Sequence, residues 1–398
     1  MTTLEAPREP TTKDRARAYH RWQFRLSMIG VFLGAAYLVV WLASGASVAL
    51  RNALGDLTSR WWLELPLALL VLGAGHRILT LPLLWLGGFL LPRRFGLLHQ
   101  PLGSWLLDVA KAGLIATALG VVAAEIVYGL LRATPWWWAW AALTFLAGYA
   151  LLAFAVPVWL VPLFYRLTPL ENRAMSDRLL RLAARVGVPA LGVWVADQSR
   201  RSRTANAAVV GLGRTRRILL FDTLLREFTP DEVETVLAHE LAHQVHSDVG
   251  RGLLVQAALT LVTFWAADQV LRVGAGLLGF DGPADVAGLP LFGLVVLGVG
   301  IVLHPVGNAW SRRVERQADD FALRSAENPS AFIGAMEHLA ALNLAEPDPH
   351  PVKEFLLYSH PSINRRVARA RAFLLNPADT LYARGTVRSV GNSNPPKP

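Results

Sequence analysis

Two short stretches of this chain hold the residue types that can bind a metal ion and use it. The first reads His239-Glu240-Leu241-Ala242-His243, and the second, further along, reads Ser311-Arg312-Arg313-Val314-Glu315-Arg316-Gln317-Ala318-Asp319. On a helix, positions i and i+4 share a face, so His239 and His243 can grip one ion from the same side. Glu240 follows the first histidine and can act as general base on an attacking water without being a ligand. A catalytic zinc keeps three protein ligands and one open position, so a third ligand is expected elsewhere, and Glu315 is well placed to supply it. Asp319, one turn further on, could accept a hydrogen bond from a ligand histidine and fix its tautomer. The competing reading is a surface helix laced with salt bridges, because Arg312, Arg313, Arg316 and Arg324 lie close by.

The chemistry requires helices and the sequence supplies them. Thr229-Pro230-Asp231-Glu232 is a capping box with proline in the first turn, followed by apolar Val233, Val236, Leu237 and Leu241. A second helix is expected over 308–326, carrying Glu315. The only sizeable polar stretch, 166–251, reads as a helix (168–186), a strand (192–196) and a hairpin with arms 204–210 and 217–221 turning through Gly211-Leu212-Gly213. Helices are expected over 329–344 and 361–375. His246 is a further histidine after the first motif, but i+3 from His243 it turns partly away and reads as a supporting or surface residue. His338 and His350 read as surface or packing residues.

The remaining sequence belongs to a membrane. The chain is 53% hydrophobic with 14 tryptophans, and its 17% charged residues fall below the roughly 25% of soluble domains. Judged against the roughly 20 residues needed to cross the hydrocarbon core, apolar runs at 26–50, 65–92, 112–131, 133–165, 252–278 and 286–310 make six spans. A break at Arg77 would make seven and invert the orientation of everything after it. The run 133–165 is too long for one straight span, and Pro157 and Pro162 imply a kink. Arg77, Glu125 and Asp268 are charges within apparent spans, where they face protein or water, or snorkel.

Basic residues before the first span and after each even-numbered span put the N-terminus and the site residues His239, Glu240, His243 and Glu315 in the cytoplasm. The first run is too long for a signal h-region and reads as retained. The net charge of +10 fits anionic lipid headgroups, since no nucleic-acid-binding module is recognisable. The absence of cysteine excludes disulfides and a Cys-based zinc site. The expected organisation is a basic segment 1–25, a four-span region 26–165, a cytoplasmic region 166–251, two spans over 252–310, the third-ligand helix with C-terminal helices 311–375, and a disordered tail 376–398.

HELAH, SRRVERQADDFA (311–322), the segment from Thr204-Ala205-Asn206-Ala207 to Gly211, FDTLL (221–225) and Ser359-His360-Pro361 resemble the type 1 CAAX prenyl proteases. These are integral-membrane gluzincins that process farnesylated proteins, related to a heat-shock-induced quality-control protease. The resemblance runs from about residue 81 to 366 and includes Arg94-Phe95-Gly96 and Trp105-Leu106-Leu107-Asp108. It implies that His239, His243 and Glu315 bind one zinc ion and that Glu240 is the base. It further implies that Asn206 and Ala207 lie on a strand edge that holds substrate by β-augmentation, and that His360 helps stabilise the tetrahedral intermediate. Without the resemblance, an ordinary structural hairpin is about as good a reading of 204–221.

The expected fold is a mostly α-helical polytopic membrane protein, its six or seven transmembrane helices enclosing a chamber that Arg77, Glu125 and Asp268 could line. To it is joined a gluzincin-like protease domain with a small β-hairpin or sheet. The expected activity is zinc-dependent hydrolysis of peptide bonds in membrane-associated or prenylated proteins, in the lipid bilayer, with no nucleic acid and no obligate protein partner. One alternative is a quality-control protease acting on unfolded polypeptides without prenyl specificity. Another is a membrane scaffold with structural zinc, against which Glu240 weighs, since a structural site needs no base. A transporter, which leaves the zinc motif unexplained, ranks last.

Overall fold

A computed structural model describes residues 11–211 and 213–375; the start of the basic N-terminal segment and the tail expected to be disordered lie outside the described residues. Helix α1 (Thr12–Ala43) opens with a capping box in which Thr11 and Asp14 bond reciprocally. It stops earlier than its apolar run, because Gly45 takes a left-handed conformation (φ +72°) and starts the short α2 (Ala46–Leu57). Helix α3 (Trp61–Arg94) passes unbroken through His76 and Arg77, so the described residues hold six candidate spans and not seven. Helices α4 (Leu102–Ala133) and α5 (Trp137–Phe164) follow. The bend expected from Pro157 and Pro162 takes the form of a wide π-type turn at Val156–Leu160, where the ladder loses donors. Phe32, Ile78, Leu114 and Trp159 point outward and exposed, as lipid-facing side chains do.

The polar insert begins differently from its expectation. Leu167–Pro169 is a strand, β1, and helix α6 runs only over Arg173–Arg185. The reason is local: Asn172 caps α6 by accepting from Met175 N at 3.1 Å, while Leu167–Pro169 pairs with the next strand. That strand is β2 (Val193–Ala196), followed by β3 (Ala207–Val210) and β4 (Arg217–Phe221). The sheet order is β1-β2-β4-β3, with β2 and β4 parallel and the outer pairings antiparallel, so β3 is an edge. Gly211 turns the hairpin at φ +88°, where a Cβ would meet the carbonyl oxygen of Thr215 at 2.7 Å.

Helices α7 (Asp222–Glu227) and α8 (Pro230–Val245) come next, then the spans α9 (Asp248–Leu278) and α10 (Leu289–Ala326). Helix α10 is continuous through Trp310, so the last span and the stretch bearing Glu315 are one rod. The described residues close with α11 (Pro329–Leu342), α12 (Pro351–Leu357, unforeseen in the sequence) and α13 (Ile363–Leu375). Leu179 and Leu182 of α6, Ile218 and Leu220 of β4, Leu237 and Leu241 of α8 and Phe332 of α11 form the core that fixes α8 against the sheet.

A cavity of about 900 Å³ lies among the spans, lined by apolar residues such as Leu72, Phe145, Phe264 and Phe292, with Tyr37 and His76. A second, of about 390 Å³, shares Phe145, Phe264 and Val296 with it and reaches His304 and Asn308 on α10. Neither is lined by Arg77, Glu125 or Asp268, whose place the sequence had left open between a chamber wall and the interface. Asp268 is occupied elsewhere: it accepts from the buried Trp137 Nε1 at 2.7 Å and from Arg272 Nε at 2.8 Å, beside a smaller cavity of about 280 Å³.

Candidate metal centre

Helix α8 starts where its sequence says it should, with Thr229 and Glu232 closing the capping box and Pro230 in the first turn. Its inner face is packed, which fixes the rotation that presents His239 and His243 together, their ring centroids 5.0 Å apart. Helix α10 crosses it and delivers Glu315. One ligand atom from each of the three residues lies within 4.8 Å of the others. Glu315 Oε2 sits 3.2 Å from His239 Nε2, and Oε1 sits 3.8 Å from His243 Nε2. Oε2 is buried yet finds no well-aligned hydrogen-bond donor. Two imidazoles and an under-satisfied carboxylate converging on one point suit a divalent cation with three protein ligands.

Each histidine is oriented from behind. His239 Nδ1 lies 3.0 Å from Asp319 Oδ1. Asp319 is itself gripped by Arg366 of α13, whose Nε and Nη2 donate at 2.9 and 2.6 Å. His243 Nδ1 lies 3.0 Å from Asp248 Oδ2, and Arg251 Nη1 donates to the other oxygen at 2.9 Å. Burial would lower the pKa of His239, but the adjacent carboxylates of Asp319 and Glu315 outweigh it and push it up to about 9 in the chain alone. Burial pushes the Glu240 carboxyl above the usual range, partly offset by the two histidines.

Asp248, Arg366 and the Gln244 contact described below were invisible in the sequence. A residue five positions after His243 points away from it on a regular helix. Ser247 breaks α8 in a left-handed conformation (φ +55°), and that turn swings Asp248 back to the histidine. A hydrophilic residue just past a helix end was the only signal. His246 is half-buried against Phe321, edge to face at 5.6 Å, and supplies no ligand atom to the group.

Of the remaining predicted residues, His360 reaches the group. His360 is exposed on the loop between α12 and α13, with Nε2 3.3 Å from Glu315 Oε1. Asn206 is exposed and Ala207 buried at the start of β3. Phe221 N donates to Asn206 O at 3.0 Å, so by antiparallel alternation Ala207 and Val209 turn their main-chain groups to the open edge. Gln244 of α8 donates to Val209 O at 3.1 Å and accepts from Arg216 Nε at 3.3 Å, tying the edge strand to the helix of His239 and His243.

Comparison with known proteins agrees with this construction. Residues 169–374 match peptidase family M48, and residues 3–166 match the CAAX prenyl protease N-terminal region with five membrane helices. An uncharacterised metalloprotease, YhfN of Bacillus subtilis, is 28% identical over 91% of this chain and 86% of its own length. CAAX prenyl protease 1 of Saccharomyces cerevisiae is 26% identical over 92% and 86% respectively. The crystal structure of S. mikatae Ste24p shares the fold, with a TM-score of 0.80 and 24% identity over 93% of this chain and 91% of that one. With both its membrane half and its HExxH half matched, the chain belongs to the CAAX prenyl protease branch of peptidase family M48 and is an integral-membrane metalloprotease.

Proposed function

We propose that this chain is a zinc endopeptidase that cleaves CAAX-type prenylated peptides at the cytoplasmic face of the bilayer. The observation that carries the reading is the convergence of His239, His243 and Glu315 within 4.8 Å, with Glu240 alongside. Zinc held by these three residues would supply Lewis acidity, polarising a carbonyl and making water acidic enough to attack near neutral pH. Glu240 takes the proton from the attacking water and delivers it to the leaving amine, a task its raised pKa suits. Asp319 orients His239. His360, exposed at the rim of the group, donates a hydrogen bond to the developing oxyanion, typically worth about 3 kcal/mol. The outward C=O of Ala207 pairs with the substrate main chain, while its N–H is held by Asn206 Oδ1 at 2.9 Å.

The substrate class is supported by the CAAX prenyl proteases among the relatives and by the apolar cavity of about 900 Å³, which has room for an isoprenoid chain. The basic residues of the early part of α1, among them Arg21 and Arg25, support a cytoplasmic N-terminus. Detergent-purified protein should cleave a farnesylated CAAX peptide in a chelator-sensitive manner, with activity lost in Glu240→Gln. Cleavage of an unfolded reporter in preference to that peptide would instead favour a quality-control protease.

A further inference from the structure

Helix α12 has no part in the peptide-bond chemistry, and its two faces differ sharply. Glu354 is buried on one side, where it accepts from Ser362 N at 3.3 Å and pairs with Arg365 Nε at 3.5 Å. The other side presents Val352, Phe355 and Leu356, which are 58, 53 and 40% exposed. Their i, i+3, i+4 spacing puts them on one stripe. A helix of seven residues cannot hold itself together in water, so its position is imposed from outside.

The imposing contacts come from the two neighbouring spans. Arg312 Nη1 donates to the carbonyls of Glu354, Phe355 and Tyr358 at 3.0, 3.2 and 2.5 Å, and Asn308 Nδ2 donates to that of Leu356 at 2.9 Å. Both residues lie on α10 just past Val302 and Val306, which are exposed on another face of the span, whereas Asn308 shares the face of His304 and the second cavity. From the other side, Tyr358 meets His20 of α1 with ring centroids 6.4 Å apart. Helix α1 then exposes Arg21, Trp22 and Arg25 before its apolar run begins, the residue types of a membrane–water boundary. Asn308 and Arg312 are one turn apart, about 6 Å along the axis at ~1.5 Å per residue. That matches a headgroup layer roughly 5–8 Å deep on each side of the hydrocarbon.

We propose that α12 is an interfacial foot that lies in the headgroup layer between α1 and α10, with Val352, Phe355 and Leu356 sunk into lipid. Arg21 and Arg25 are then placed to meet anionic headgroups. Because His360 follows α12 directly and Arg312 shares a helix with Glu315, the bilayer would set the height of His360 over the metal-binding group. This inference does not rest on the peptidase reading.

The chain has no cysteine, so single-cysteine spin labelling is direct. Labels at Val352→Cys, Phe355→Cys and Leu356→Cys would be read in the full chain in bilayer nanodiscs, with exposed Asp348→Cys as the aqueous reference and Val306→Cys as the lipid reference. The expected result is an oxygen-to-nickel collision ratio severalfold above that of Asp348→Cys at all three positions. A ratio equal to that of Asp348→Cys overturns the proposal. So does a stripe shielded from both probes that opens on dilution into excess lipid, which would mean a second copy covers it. Shielding that arises only on adding peptide substrate would equally overturn it, making the stripe a substrate contact.

Discussion

Removing the Asp248 carboxylate separates metal affinity from fold stability in a way that removing Asp319 does not. Both carboxylates lie 3.0 Å from the Nδ1 of a histidine proposed to bind the metal. Loss of such an orienting partner lowers metal affinity about 10–100-fold, or roughly 1.4–2.7 kcal/mol. Asp319 carries an additional burden. Its side chain is 1% exposed, and it holds the guanidinium of Arg366, itself 10% exposed, so Asp319→Ala strands a buried charge. That defect costs about 3–5 kcal/mol. The corresponding partner of Asp248 is Arg251, which is 37% exposed and also packs over Trp310 at 5.3 Å. Water and the indole face remain to it, so the lost ion pair costs at most about 1 kcal/mol. Asp248→Ala should therefore weaken zinc binding up to about 100-fold, while the chelator-treated protein unfolds within a few degrees of the parent. Competition against a chromophoric chelator in detergent gives the affinity, and thermal unfolding of the metal-free protein gives the stability. Unchanged zinc affinity would refute the orienting role. A loss of metal-free stability as large as that of Asp319→Ala would refute the distinction between the two carboxylates.

Glu240→Gln should retain stoichiometric zinc and lose nearly all cleavage; turnover near the parent rate would remove Glu240 from the mechanism. In the metal-free chain, His239 titrates near 9 against an ordinary 6.5, so its folded-state pKa is raised. That stabilisation is complete below about 6.5 and fades as pH rises through about 9, so chelated protein should lose thermal stability across this window. The zinc form, with His239 already unprotonated, should lack this dependence, and a flat profile in chelated protein would count against it. Gly334→Ala puts a Cβ 2.4 Å from Glu232 Oε1, and Glu232 closes the α8 capping box through Thr229 N at 2.9 Å. Denaturant titration should show a loss of about 1 kcal/mol, and no loss would mean the carboxylate relocates freely. Gln244→Ala should raise KM severalfold with little change in kcat, because it frees the Val209 carbonyl that ties the edge strand to α8; a fall in kcat at constant KM would contradict this.

What the sequence disclosed follows from how far each signal reaches along the chain. The pairing of His239 and His243 with Glu240 needs only helical periodicity and a capping box, both local, and the structure brings these residues together. Glu315 was singled out because three-ligand chemistry demands a partner and α10 offers one residue in a recognisable run. The spans were legible in number because hydropathy integrates over many residues, while their ends were not, since single residues such as Gly45 decide them. Where the sequence misled, a longer-range contact had won. Thr168 and Pro169 look helical until β2 claims Leu167–Pro169 as a strand, and the place of Asp268, open in the sequence, is decided by Trp137 reaching it from another span. Asp248 was missed for the opposite reason: it is close in sequence, but only a left-handed Ser247 turns it toward His243. A periodic rule cannot foresee the residue that breaks the period, and here that residue turns Asp248 behind one of the two histidines.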